Sequence, residues 1–143
     1  MAPQQRRRAK AAGGRKPRHV LVADDGSKPA ARARDFAVML ALSTGARLTA
    51  TYVREPTESR DEAARKLAAT VAAAAAAGVK CTAVIQPPVG ITNPGRRILA
   101  AATRHRVDHI VVGARGSGLV SKLLGSVSSY VVSRARVSVS VVR

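Results

Sequence analysis

Four times over, a short valine-rich run is followed by a longer segment with helical periodicity, and the chain then closes on a fifth apolar run. This alternation constrains the fold more than any other feature. The runs 19–24 (HVLVAD), 47–53 (RLTATYV), 79–85 (VKCTAVI), 108–113 (DHIVVG) and 137–143 (VSVSVVR) have strand length and branched side chains. After the first, Ser27 is placed to cap a helix and Pro29 sits in its first turn, where the missing N–H costs little. Ala33, Phe36, Ala37, Leu40 and Ala41 then give one apolar face, and Gly45 ends the helix. Residues 58–77 form an alanine-rich helix stopped by Gly78, and the loop QPPVGITNPG leads to a third helix start at Asn93-Pro94. A fourth helix is expected over 126–135. Strands alternating with helices imply an α/β fold, a parallel sheet with helices on both faces. No internal repeat is visible.

The chain of 143 residues is long enough for one domain with one core. Hydrophobic residues make up 46% and aromatic residues only 2%, so Val, Leu, Ile and Ala must fill that core. The net charge of +17 is unevenly spread. Residues 1–18 (MAPQQRRRAKAAGGRKPR) carry seven Arg or Lys, no acid and no apolar period. We read 1–17 as a disordered basic tail and 18–143 as the folded domain. Taking those seven cations from the total leaves +10 on the rest, a balance that favours polyanionic partners. The tail between 6 and 18 could hold nucleic acid non-specifically, or anionic membrane, or be simply solvated. The basic start is not followed by an apolar segment of the secretory kind, and no run reaches membrane-span length. A single cysteine, Cys81, allows no internal disulfide and fits a reduced, cytoplasmic setting.

The stretch VVGARGSGLVSKLLGSVSSYVV, 111–132, carries the chemistry. A strand runs through Gly113, Gly116 and Gly118 to Gly125-Ser126 at a helix start. Glycines let backbone N–H groups approach an anion, the helix N-terminus adds partial positive charge, and Ser126 and Ser128 add hydroxyls. The loop lacks the Gly-Lys-Ser/Thr of a Walker A motif, and the first βα turn, with only Gly26, is no dinucleotide fingerprint. The competing reading is a flexible surface loop before a capped helix. If the first and fourth strands are neighbours at a switch point, DDGS and GARG face each other across one crevice. Asp25 could there accept from a ribose hydroxyl or an adenine amine, or act only as a turn residue.

These residues also carry a resemblance. VLVADDGS, DHIVVGARG and LLGSVSSYVV resemble the universal stress protein family, and the likeness runs over residues 19–143. Its nucleotide-binding members share Gly-x2-Gly-x9-Gly-Ser/Thr. Gly113-x2-Gly116 and Gly125-Ser126 match it, with a spacer of eight residues in place of nine. The resemblance implies a single doubly wound domain whose five-stranded parallel sheet has the order 3-2-1-4-5. It implies ATP with Mg2+ as the ligand. By the same likeness Asp25 contacts the adenosine, Val53 lines the adenine pocket, Gly113 and Gly116 approach the ribose and first phosphates, and Gly125, Ser126 and Ser128 hold the outer phosphates. Dimerisation through the last strand is implied too. Residues 137–142 support it directly, because no lysine, proline or acid interrupts that edge.

No nucleophile–base constellation is present. His105 and His109 are four apart, but His109 falls in a strand, so the pair shares no helical face and does not point to a metal. Cys81 has no catalytic partner nearby in sequence and reads as a small packed side chain. The resulting expectation is an ATP-binding stress-response or regulatory module. The alternatives are a slow ATPase, or a polyanion-binding protein driven by its tail with an empty nucleotide site.

Overall fold

A computed structural model of the chain describes residues 15–115 and 124–143. Five strands form one sheet: β1 His19–Ala23, β2 Arg47–Val53, β3 Cys81–Gln86, β4 His109–Gly113 and β5 Ser138–Val142. Their order is β3-β2-β1-β4-β5 and every pairing is parallel. Four helices connect them: α1 Lys28–Thr44, α2 Arg60–Ala76, α3 Gly95–Arg104 and α4 Ser126–Arg134. The α/β expectation and the strand order both hold. The tail expected over 1–17 lies mostly outside the described residues; of its last three, Arg15 and Lys16 are exposed and Pro17 is half-buried.

Alternation along the strands sorts the core into two layers. Val20, Val22, Leu48, Ala50 and Val111 face one way, under Ala33 and Ala37 of α1 and Ala63 and Leu67 of α2. Leu21, Ile110 and Val112 face the other way, against Ile98 and Ala101 of α3 and Val131 of α4. Small alanines on the helices bring their backbones close to the sheet, which is how a core almost without aromatics closes. Each fully buried aliphatic side chain, such as Leu21, stabilises by about 2 kcal/mol.

Local signals set the ends. Ser27 accepts the Ala30 N–H, and Gly45 terminates α1 at φ 73. The α2 start is a reciprocal capping box between Ser59 and Glu62. β3 begins at Cys81, two residues later than expected from sequence. Gly78 turns at φ 74 and the Val79 N–H closes onto Ala74 O, so Val79 belongs to the turn. Asn93 caps α3 from outside it, accepting the Gly95 N–H at 2.8 Å, and its amide donates to Ser126 O of α4.

Because α1 leaves β1 toward one layer and α4 leaves β4 toward the other, the two connections diverge above adjacent strands. A crevice opens there, at the carboxyl ends of the strands.

Candidate functional site

The crevice holds a cavity of about 290 Å³. Asp25, Val53, Gly113, Gly125, Ser126 and Ser128, all singled out from sequence, line it; Gly116 lies outside the described residues. Sequence reasoning passed over Asp24, Thr51, Tyr52, Glu55, Ile98 and Arg115, which also line it. For Asp24 the signal was available, since an acid ending a buried strand must find partners.

Asp24 is almost fully buried, and its carboxylate holds the β1–α1 turn from both sides. Oδ1 accepts the Gly26 N–H at 2.8 Å and Oδ2 accepts the Thr70 hydroxyl of α2 at 2.5 Å. Asp25 is half-buried and accepts the Ser27 N–H at 2.9 Å. That turn needs a left-handed residue, which Gly26 supplies at φ 78. Val53 closes β2 among the residues of the α3/α4 layer.

The opposite wall is the junction of β4 with α4. Ala114 O accepts two bonds, from the Gly125 N–H at 2.7 Å and from the Ser128 hydroxyl at 2.8 Å. The base of the glycine segment is thereby joined directly to the helix start. The Ser128 hydroxyl is buried, with Gly125 O as its other acceptor. Its proton therefore serves the fold. No side chain caps α4, so the first-turn N–H groups have no side-chain acceptor, and the residues that carry them, Ser126, Val127 and Ser128, line the cavity. Gly113 is closely surrounded by backbone. A Cβ on it would lie 3.3 Å from Arg115 O, a tight approach to the chain's own turn, and 3.6 Å from Pro29 O, an ordinary contact with the first turn of α1.

A polar latch borders the cavity. Tyr52 donates to Glu58 Oε2 at 2.7 Å and accepts from Lys66 Nζ at 2.7 Å, and Lys66 also pairs with Glu58 and lies over the Tyr52 ring. These hydrogen bonds from Lys66 and Tyr52 hold the Glu58 carboxyl down at about 2 and, with burial opposing, the ammonium of Lys66 is raised. Burial pushes the Tyr52 phenol up. His105 and His109 sit on different elements, the first at the end of α3 and the second opening β4 with Nε2 2.8 Å from Ser140 Oγ. Cys81 is half-buried and its thiol is raised by burial. Among the described residues no helix is long and apolar enough to cross a membrane.

A doubly wound parallel sheet with a crevice at its switch point places the chain among the open-sheet α/β proteins. The chain belongs to the universal stress protein family, whose match covers residues 16–143. It is 34% identical over 133 residues to the universal stress protein in the QAH/OAS sulfhydrylase 3′ region of Thermus aquaticus, covering 87% of this chain and 97% of that one. Among solved structures it is similar to the universal stress protein UspA from Lactobacillus plantarum, with a TM-score of 0.76 and 28% identity over 92% of this chain and all of the other. It is also similar to a universal stress protein solved in complex with cAMP, with a TM-score of 0.71 and 28% identity over 90% of this chain and 98% of that one.

Proposed function

We propose that this chain binds an adenine nucleotide in the β1/β4 crevice and acts as a regulatory module of the stress response, with ATP and Mg2+ as the ligand. The observation that carries the reading is the uncapped first turn of α4 facing a cavity whose other wall is the Asp24-Asp25 turn. The relative in complex with cAMP supports the adenine class. Asp25 would accept from the adenosine moiety, Val53 and Ile98 would pack the base, and the backbone donors of Ser126 and Val127 would meet phosphate oxygens. Ser128 would act from behind, seating α4 against the site, and Gly113 would keep the wall open beside the ribose and first phosphates; Gly125 carries the chain into it, and Gly116 completes the motif. The triphosphate would supply the charge that Mg2+ needs.

A substitution at Ser126 tests this cleanly. It is the first helical residue, where proline is tolerated, and Gly125 before it is extended at ψ 166, as a residue preceding proline prefers. Ser126→Pro therefore deletes one N–H and one hydroxyl from the site while keeping the helix. Calorimetry with ATP, ADP, AMP and cAMP should show about tenfold weaker binding of the phosphate-rich ligands. Unchanged affinity in a folded variant, together with no nucleotide released from freshly purified protein in mass spectrometry, would place the site elsewhere.

A further inference from the structure

The pole opposite the crevice, where the strands begin, is strongly basic. Reading across the sheet, each strand is preceded or opened by a cation: Lys80 before β3, Arg47 opening β2, Arg18 before β1, Arg106 before β4 and Arg136 before β5. All five are exposed. Register keeps them in line, since Leu48 pairs with Cys81, His19 with Arg47, Val20 with His109 and His109 with Ser138. With strands about 4.8 Å apart, the row is about 19 Å long. Arg104 thickens it at the end of α3, and Arg134, also exposed, lies beside it with its guanidinium over the Tyr130 ring.

Carboxylates are segregated to the other pole. Six of the chain's eight, Asp24, Asp25, Glu55, Glu58, Asp61 and Glu62, lie at the strand exits or in the first turn of α2. Asp108 is the one acid among the described residues of the basic pole. Its oxygens are already taken by the backbone N–H groups of Arg18 and His19, at 3.0 to 3.1 Å. Among the described residues the ion pairs are Arg34–Asp35 and Lys66–Glu58, and neither involves this row.

A second observation comes from the backbone. Three helix-to-strand turns at this pole share one form, a left-handed residue, then a buried apolar one, then a charged residue at or just before the strand start: Gly45-Ala46-Arg47, Gly78-Val79-Lys80 and Arg106-Val107-Asp108. Two of them use glycine. The third places an arginine at φ 53, where any side chain is strained, and Arg106 is the one non-glycine residue with positive φ among those described. Glycine would relieve the backbone there, and the position instead carries a cation.

We propose that this strand-start pole is a docking surface for the phosphate backbone of a nucleic-acid duplex. A row of this length spans duplex carrying about eleven phosphates on its two strands together, given one charge per about 1.7 Å of duplex axis. No aromatic residue lies in these turns to stack an unpaired base, so the surface reads backbone and not sequence. The apolar residues of its turns, Ala46, Val79 and Val107, are buried, and the exposed Leu42 and Val132 stand apart on the last turns of α1 and α4, whereas a membrane-docking surface presents a continuous apolar face beside its cations. Because the pole lies at the far end of the sheet from the crevice, duplex and small ligand would not compete for space.

The experiment uses the full chain and a fluorescent duplex of about 20 base pairs, with anisotropy read over a salt series around 0.1 M. One variant neutralises the pole (R47Q/K80Q/R104Q/R136Q); a second neutralises the preceding tail (R6Q/R7Q/R8Q/K10Q). The pole variant should bind about tenfold more weakly, with the salt slope reduced by about 3. Arg106→Gly removes a cation and relieves the backbone, so it should melt higher than wild type yet bind the duplex more weakly, a split that a purely structural role would not give. Three results would overturn the proposal: wild-type protein that leaves the duplex free, duplex binding lost only with the tail charges, or capture by phosphatidylserine vesicles without capture by the duplex. An Arg106→Gly protein of unchanged affinity would count against it in the same way.

Discussion

Ser128 shows how one hydroxyl divides between fold and site. Its type and position, three residues into a helix after a glycine segment, read as a phosphate donor. In the folded chain Ser128 is 3% exposed and its hydroxyl is turned toward Ala114 O, the carbonyl that also receives Gly125 N–H. Gly113 is a parallel case: a Cβ there would press on Arg115 O at 3.3 Å, with Pro29 O of α1 in contact behind it. Neither assignment was legible in sequence, because both depend on which layer a residue faces, and that follows only from the tertiary connection of β4 to α4. The residue types themselves were legible: six of the seven sequence-named positions line one cavity. Ser128→Ala should cost about 1 kcal/mol in urea denaturation, since Ala114 O keeps its bond from Gly125 and no polar atom is orphaned. A loss of several kcal/mol would mean that the whole α4 start depends on this hydroxyl.

At the scale of elements, the strands and helices announced themselves through period and caps, and their ends moved by only a residue or two. Ser59-x-x-Glu62 and Ser27-x-Pro29 are local chemistry, read locally. The latch joining β2 to α2 was not readable, because Tyr52, Glu58 and Lys66 are brought together by the chain's return across the sheet edge. It makes stability depend on acid. Glu58 titrates at about 2 when folded, against an ordinary value near 4.5, so the unfolded chain takes up the proton first as pH falls. The contribution is complete above about pH 4.5 and is lost toward pH 2. Wild-type protein should lose about 1 kcal/mol more than Glu58→Gln between about pH 6 and pH 3, a modest figure because solvent reaches the pair. Parallel pH dependence of the two urea midpoints would show that the latch does not couple to folding.

For the whole molecule the open question is what meets β5, which has one neighbour, β4, and so forms an edge. The Ala114 N–H donates to Val142 O. In a parallel ladder that bond turns the main-chain groups of Val142, Ser140 and Ser138 toward β4 and leaves those of Val139 and Val141 pointing outward. Sequence gave the edge no lysine, proline or acid between 137 and 142, and the side chains of Val139, Ser140, Val141 and Val142 are all half-buried, so nothing on the strand opposes pairing. A second copy laid antiparallel along it would satisfy the outward groups with two-fold symmetry. We therefore expect a homodimer through residues 137–142, seen as a concentration-dependent two-species distribution in analytical ultracentrifugation. Val139→Pro removes an outward donor and no bond to β4, a place where an edge strand accepts proline. It should shift the distribution toward monomer with the ligand crevice unchanged, since that crevice draws no lining residue from β5. A wild-type chain that sediments as a single monomeric species at high micromolar concentration, or a Val139→Pro chain that dimerises as well as wild type, would rule out pairing through this edge.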